Sequence, residues 1–201
     1  IANYNIKYLF KSIEISVPSA VVIGTEVFDH FIHDNNLESF AFNEADDIKI
    51  TQKFIEAFHF PKEIKQKLYD FLEIIKEPLA VRSSSLLEDA QFQPFAGVYQ
   101  TYMLPNSNPD INVRLDELLM TIKAVYASTY HIKAKDYMKA TAYRLEEEKM
   151  AVVIQRVAGR QRADRYYPDL AGVARSHNFY AVPPLNPDVT VRSRGVAEKC
   201  T

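Results

Sequence analysis

The chain has 201 residues, 47% of them hydrophobic, and a formal net charge of −2, which suits one large domain or two small subdomains with a sizeable core and gives no whole-chain argument for a nucleic-acid or membrane partner. Cys200 is the single cysteine, so an internal disulfide framework and a cysteine-based zinc site are excluded. No run of about 18 apolar residues is present to cross a membrane.

In chain order, residues 13–23 read as an extended segment ending in a strand, with Pro18 confining its first half to an edge. Gly24-Thr25 opens a helix, with Thr25 as the expected N-cap and Val27, Phe28, Phe31 and Ile32 on its apolar face; Asn35-Asn36 ends it. His30 and His33 on this helix lack a third ligand nearby in sequence and read as a surface pair rather than a metal site. A second helix is expected over residues 46–58, with Ile50, Phe54, Ile55 and Phe58 on one face. A third spans 61–76, with Pro61 in its first turn and Ile64, Leu68, Phe71, Leu72 and Ile75 at helical spacing, stopped by Pro78.

A short strand, Leu79 to Ser83, runs into a polar loop, and Gly97 to Leu104 alternates well enough to be its partner. Asn108-Pro109-Asp110 reads as a helix start, with the N-cap ahead of Pro at N1 and an acid in the first turn. Behind it come Ile111, Leu115, Leu118, Leu119, Ile122 and Val125, and then a helix over about 128–139. Lys149 to Val157 is the strongest strand in the chain, rich in Val and Ile. Gly159-Arg160 begins a turn, Tyr166-Tyr167-Pro168 packs a hairpin, and Leu170 to Ser176 and Phe179 to Val182 are short strands. The Arg run (Arg156, Arg160, Arg162, Arg165, Arg175) reads mostly as solvated surface. Hairpins outnumber strand–helix–strand units, so the expected fold class is α+β rather than a doubly wound sheet. The expected division is a mostly helical subdomain over 1–78, a second region over 79–182 and an unplaced tail over 183–201.

Residues 79–104 carry the chemistry. Arg82 stands at the end of an apolar strand and precedes three serines; a strand end holds a guanidinium in place, and its fork of donors fits phosphate oxygens. Hydroxyls of Ser83 and Ser84 and the turning backbone add donors. Glu88 and Asp89 stand where they would orient the arginine or help hold Mg²⁺, and Phe95-Ala96-Gly97 lets the backbone approach an anion closely. The plainer reading of the same string is an ordinary strand–loop–strand with Arg82 paired to Glu88 or Asp89.

The two blocks Val81-Arg82-Ser83-Ser84-Ser85-Leu86-Leu87-Glu88-Asp89 and Pro94-Phe95-Ala96-Gly97-Val98-Tyr99 resemble the amino-terminal ATP-grasp region of the pyruvate phosphate dikinase and phosphoenolpyruvate synthase family. The segments beginning at Val17, Met150 and Ala171 resemble further strands of that domain. The resemblance implies an ATP-grasp-like fold, here incomplete, that binds ATP with Mg²⁺. It implies Arg82 as the phosphate-binding, catalytic arginine, with Ser83 and Ser84 beside it. It also implies Phe95, Ala96 and Gly97 as the loop covering the phosphates, and Gln155 and Val157 on the strand that meets the adenine edge.

In such a family the phosphoryl group passes from ATP to a histidine on another domain and on to pyruvate, giving phosphoenolpyruvate. The expected partners are therefore ATP and the phosphohistidine and pyruvate-binding domains of the same protein, in the cytoplasm, with no nucleic acid or membrane. The family's Gly-Gly-Lys block, its distal acidic strand with the metal-binding carboxylates, its phosphohistidine motif and its pyruvate-binding barrel have no counterpart in these residues; Lys7 and Lys11 lack flanking glycines. The start, Ile1-Ala-Asn-Tyr, without an initiator Met or signal layout, reads as a piece of a longer enzyme that is inactive alone. The alternative is a non-catalytic nucleotide- or partner-binding regulatory module derived from the same domain.

Overall fold

A computed structural model of the chain describes residues 16–85, 88, 97–139, 144–145, 148–175 and 190–193. Among them the elements run β1 (Ala20–Ile23), α1 (Thr25–Asp34), α2 (Glu38–Asn43), α3 (Asp47–Glu56), α4 (Lys62–Ile74), β2 (Leu79–Ser84), β3 (Thr101–Leu104), α5 (Ile111–Ser128), α6 (Ile132–Lys139) and β4 (Ala151–Arg156). Four short strands follow: β5 (Arg160–Arg162), β6 (Arg165–Tyr167), β7 (Gly172–Arg175) and β8 (Thr190–Ser193). The chain divides into two compact units, one ending at Arg156 and one beginning at Val157.

In the first unit β1, β4, β2 and β3 form one sheet in that order, with antiparallel pairs throughout. The fold is α+β, as the excess of hairpin connections predicts. Side chains alternate across each strand. On one face Ile23, Leu79, Val81, Val152 and Ile154 are buried and join the core. α5 packs against β2 and β3, and α3 and α4 pack on α5. Enclosed on more than one side, α5 is buried along its whole last turn, Ala124 to Ser128. Aromatic rings fill the space between helices: Phe28 meets Tyr126 edge-on at 5.0 Å, and Phe31 lies 5.5 Å from Tyr126 and 6.0 Å from Phe54.

The structure moves several expected boundaries. Gly24, not Thr25, is the N-cap of α1, and Thr25 is its first helical residue. At α5 the N-cap is Asp110, whose carboxylate accepts the Asn112 N–H at 2.8 Å. The Asn108-Pro109 pair lies outside the helix; the Asn108 side chain instead accepts the Asp110 N–H. Phe58, expected on the buried face of the 46–58 helix, is 85% exposed, because α3 ends at Glu56. Pro61 precedes α4 as its N-cap, and α2 has no counterpart in the periodicity reading. The strand expected at Phe179 to Val182 lies outside the described residues.

Two cations close helix ends, one buried and one half-buried. The Arg114 guanidinium, 4% exposed, donates to the carbonyls of Leu72 and Ile75 at the end of α4 and to the Asn106 side chain. Lys123 donates to the carbonyls of Ile55 and Ala57 at the end of α3. In the second unit β5 and β6 form a hairpin in which Gly159 is required: a Cβ there would lie 2.8 Å from the Tyr167 carbonyl carbon. The Tyr166-Tyr167 pair thus packs a hairpin as expected, and β7 pairs with β8.

Candidate functional site

Among the described residues the sheet face opposite the helices is open, and its register puts one row of side chains across all four strands. Val22 pairs with Val153, Val153 with Arg82, and Arg82 with Thr101. Direct antiparallel partners point to the same face, so these four share it. The neighbouring row is Ala20, Gln155, Ala80 and Met103. Arg82 and Gln155, singled out separately in the sequence, therefore stand on one surface, displaced by two residues along the strands. Val22 is 62% exposed and Met103 38%, so two apolar side chains of this face stand uncovered among the described residues.

Arg82, Ser83, Ser84, Glu88, Gly97 and Tyr99 line a cleft of about 480 Å³ at the end of this face, with Thr101 and Val153 at its floor. Arg82 is exposed and makes no hydrogen bond or ion pair among the described residues. Of the two partners in the plain strand–loop reading, Glu88 bonds elsewhere and Asp89 lies outside the described residues. Oε1 accepts the Ser83 hydroxyl at 2.8 Å and Oε2 accepts the Ser85 N–H at 3.2 Å. The carboxylate thus folds the turn after β2 and draws the Ser83 hydroxyl to itself. Arg82 is the one cation among the described residues that line the cleft.

Gly97 has φ +80°, a left-handed conformation that side chains resist, and open space where a Cβ would be. Chain and cleft meet there without obstruction. Phe95 and Ala96, expected to cover the phosphates with Gly97, lie outside the described residues. Val157 begins the second unit.

Sequence reasoning missed Tyr99, Thr101, Val153 and Glu148. The Tyr99 hydroxyl donates to Glu148 Oε1 at 2.8 Å, a buried bond spanning 49 residues. Burial pushes the Tyr99 hydroxyl far above its ordinary range, and the Glu148 charge and hydrogen bond add to the effect. Burial likewise raises the Glu148 carboxyl, against the opposing influence of Ser85 and Tyr99 and with the help of the Glu88 charge. The Ser85 hydroxyl is near enough to favour the carboxylate but is buried without a hydrogen bond of good geometry. Alternation in β3 would have marked Thr101; no local signal marks Glu148.

Arginines of the run are engaged close to home at Arg156, Arg160 and Arg162. Arg156 donates to Glu77 at 3.0 Å, and this hydrogen bond holds the Glu77 carboxyl below its usual range. Arg160 and Arg162 both pair with Asp169. Among the described residues no group of three His, Cys, Asp or Glu side chains is placed to hold a metal ion. No helix among them is long and apolar enough to cross a membrane.

An antiparallel sheet covered by helices on one face, with an arginine unpaired among the described residues and a glycine turn at the other, is the frame of an α+β, ATP-grasp-like nucleotide-binding domain. Residues 2–198 match the family described as pyruvate phosphate dikinase, AMP/ATP-binding domain, and the chain belongs to that family. It is also similar to a protein of Bacillus subtilis (strain 168) called uncharacterized phosphotransferase YvkC, with 29% identity over 143 residues. That match covers 69% of this chain and 15% of the relative, so the chain spans a small part of the relative's length.

Proposed function

We propose that this chain supplies one wall of the nucleotide clamp of a dikinase-type phosphotransferase, in which a phosphoryl group passes from ATP to a histidine of another domain and then to pyruvate. The observation that carries the reading is Arg82: exposed, unpaired among the described residues, and set beside Ser84 and Gly97 in a cleft of about 480 Å³. A guanidinium left without a protein partner on an ordered strand is pre-set for an anion. Placed at a γ-phosphoryl group, it neutralises charge that grows during transfer. Ser84 and the turning backbone near Gly97 add donors, with Phe95 and Ala96 continuing the covering loop. The exposed side chains of Val22 and Met103 on this face offer apolar surface for the base, and backbone groups at Gln155 meet its edge.

The donor set suits the phosphates of ATP. It does not suit the magnesium ion that accompanies ATP in such transfers: Glu88 is the one carboxylate among the described residues of the cleft, and both its oxygens are committed to Ser83 and Ser85. No step is therefore routed through a metal held by these residues.

Arg82→Ala in the intact protein is expected to lower ATP-dependent histidine phosphorylation by at least ~100-fold, as for loss of a group aimed at developing charge. A loss below about threefold, too small for such a role, removes Arg82 from the site. A second reading, a regulatory nucleotide-binding module without catalysis, is favoured by the lack of a second cation among the described cleft residues. It predicts ATP binding with no phosphohistidine in the intact protein, whereas the first reading requires that phosphohistidine.

A further inference from the structure

A second cavity, about 170 Å³, opens among the helices of the first unit. Its walls are of two kinds: the aromatic rings of Phe28, Phe42 and Tyr130, and the carboxylates of Asp29, Glu38 and Glu148. The rings form a framework, with Phe42 edge-on to Tyr130 at 5.5 Å and Phe28 stacked with Tyr130 at 6.4 Å. Tyr130 is 4% exposed, yet its hydroxyl makes no hydrogen bond among the described residues. Burial pushes that hydroxyl above its ordinary range, and the charges of Glu38 and Asp29 add to the effect. A buried phenol facing two carboxylates and bonded to neither leaves room for a donor that would satisfy all three.

The charges leave a surplus of negative sign. Asp29 is paired with Lys149, and the His33 ring hydrogen-bonds Asp34. Glu38 has no ion pair among the described residues, and Glu148 is 6% exposed with Oε1 held by Tyr99. A concave site combining aromatic faces with fixed carboxylates is the arrangement that attracts an organic cation. A bare metal ion is disfavoured by donor geometry, since no three ligating groups converge among the described residues. A nucleotide is far too large for the volume.

We propose that this cavity binds the guanidinium or primary ammonium head of a small organic cation on a short stem, with Glu38 and Glu148 as counter-charges and Tyr130 and Phe42 as the aromatic wall. The assignment stands apart from the phosphate cleft and does not depend on what that cleft binds.

The test is a ¹⁵N–¹H and aromatic ¹³C NMR titration of the chain with methylguanidinium chloride. Methylurea serves as the neutral isostere and sodium chloride as the ionic control. Saturable shifts centred on Phe28, Phe42 and Tyr130 are expected with methylguanidinium and with n-butylammonium, and none with methylurea. Glu38→Gln changes an exposed side chain, so the fold is kept; its apparent affinity is expected to fall by at least ~10-fold. Phe42→Leu, which removes the ring and keeps an apolar side chain, is expected to weaken binding as well.

Shifts that do not saturate, that sodium chloride or methylurea reproduces, or that Glu38→Gln leaves unchanged would overturn the proposal. So would binding of a blocked arginine peptide with none of methylguanidinium, which would assign the cavity to a protein partner.

Discussion

Tyr126 shows what a single buried atom contributes. Its ring anchors the contacts with Phe28 and Phe31, but its hydroxyl is fully buried and has no hydrogen-bond partner among the described residues. An unsatisfied buried hydroxyl carries a desolvation cost with nothing to offset it. Tyr126→Phe keeps the ring and removes that cost. It is expected to stabilise the fold by about 1 kcal/mol and to raise the thermal midpoint by ~2–4 °C, read by calorimetry. A lower midpoint would mean that the hydroxyl is satisfied. Arg82 is the opposite case at the same scale: a polar group without a partner among the described residues, but exposed and in a cleft, where it is set for a ligand rather than strained.

At the scale of the element, helix starts separate residue type from residue role. Thr25 and Asp110 both belong to the residue classes that cap helices. Asp110 does so, accepting the Asn112 N–H at 2.8 Å, while Thr25 lies one residue inside α1 and makes no cap. Asp110→Ala is therefore expected to cost ~1 kcal/mol in denaturant melts. Thr25→Ala is expected to stay within about 0.5 kcal/mol of the parent. Equal losses at both positions would contradict this assignment.

The same lesson applies to β2 and β4. Alternation in their sequences shows that each has a buried and an outward face. Which outward residues become neighbours depends on register, and the pairing of Arg82 with Val153 is what places Gln155 on the arginine's surface. Residues on both sides of Pro78 share this sheet, since β1 pairs with β4.

Across the whole molecule, contacts distant in sequence tie the helices together and make stability depend on pH. The Thr51 hydroxyl donates to the Asp47 carbonyl at 2.8 Å, so at 3.0 Å the His131 Nε2–H donates to Thr51 Oγ1. Asp47 in turn accepts the Ile132 N–H at the start of α6. Burial lowers the His131 pKa; Lys135 acts in the same direction and Asp47 against it. Below the unfolded value of about 6.5, the unfolded chain then binds a proton that the folded chain does not, so stability falls as pH falls through this window. Urea melts between pH 7.5 and 5 are expected to show this loss, and His131→Gln is expected to reduce it. A pH dependence identical in the variant would assign the proton uptake to another group.

The α+β class, the helices carrying Phe28, Ile50, Leu68 and Leu118, the strand over 149–157 and the Arg82 and Gly97 segments were all legible in the sequence, because each rests on local periodicity or on a short string with its own chemistry. The tertiary structure alone decided that Glu88 binds Ser83 and Ser85 rather than Arg82. It also joined Glu148 to Tyr99, gathered three rings and three carboxylates around a second cavity, and left Phe58 in solvent. Hydrogen bonds across 49 residues and the choice of which apolar face is covered depend on which elements meet, and no local pattern records that meeting.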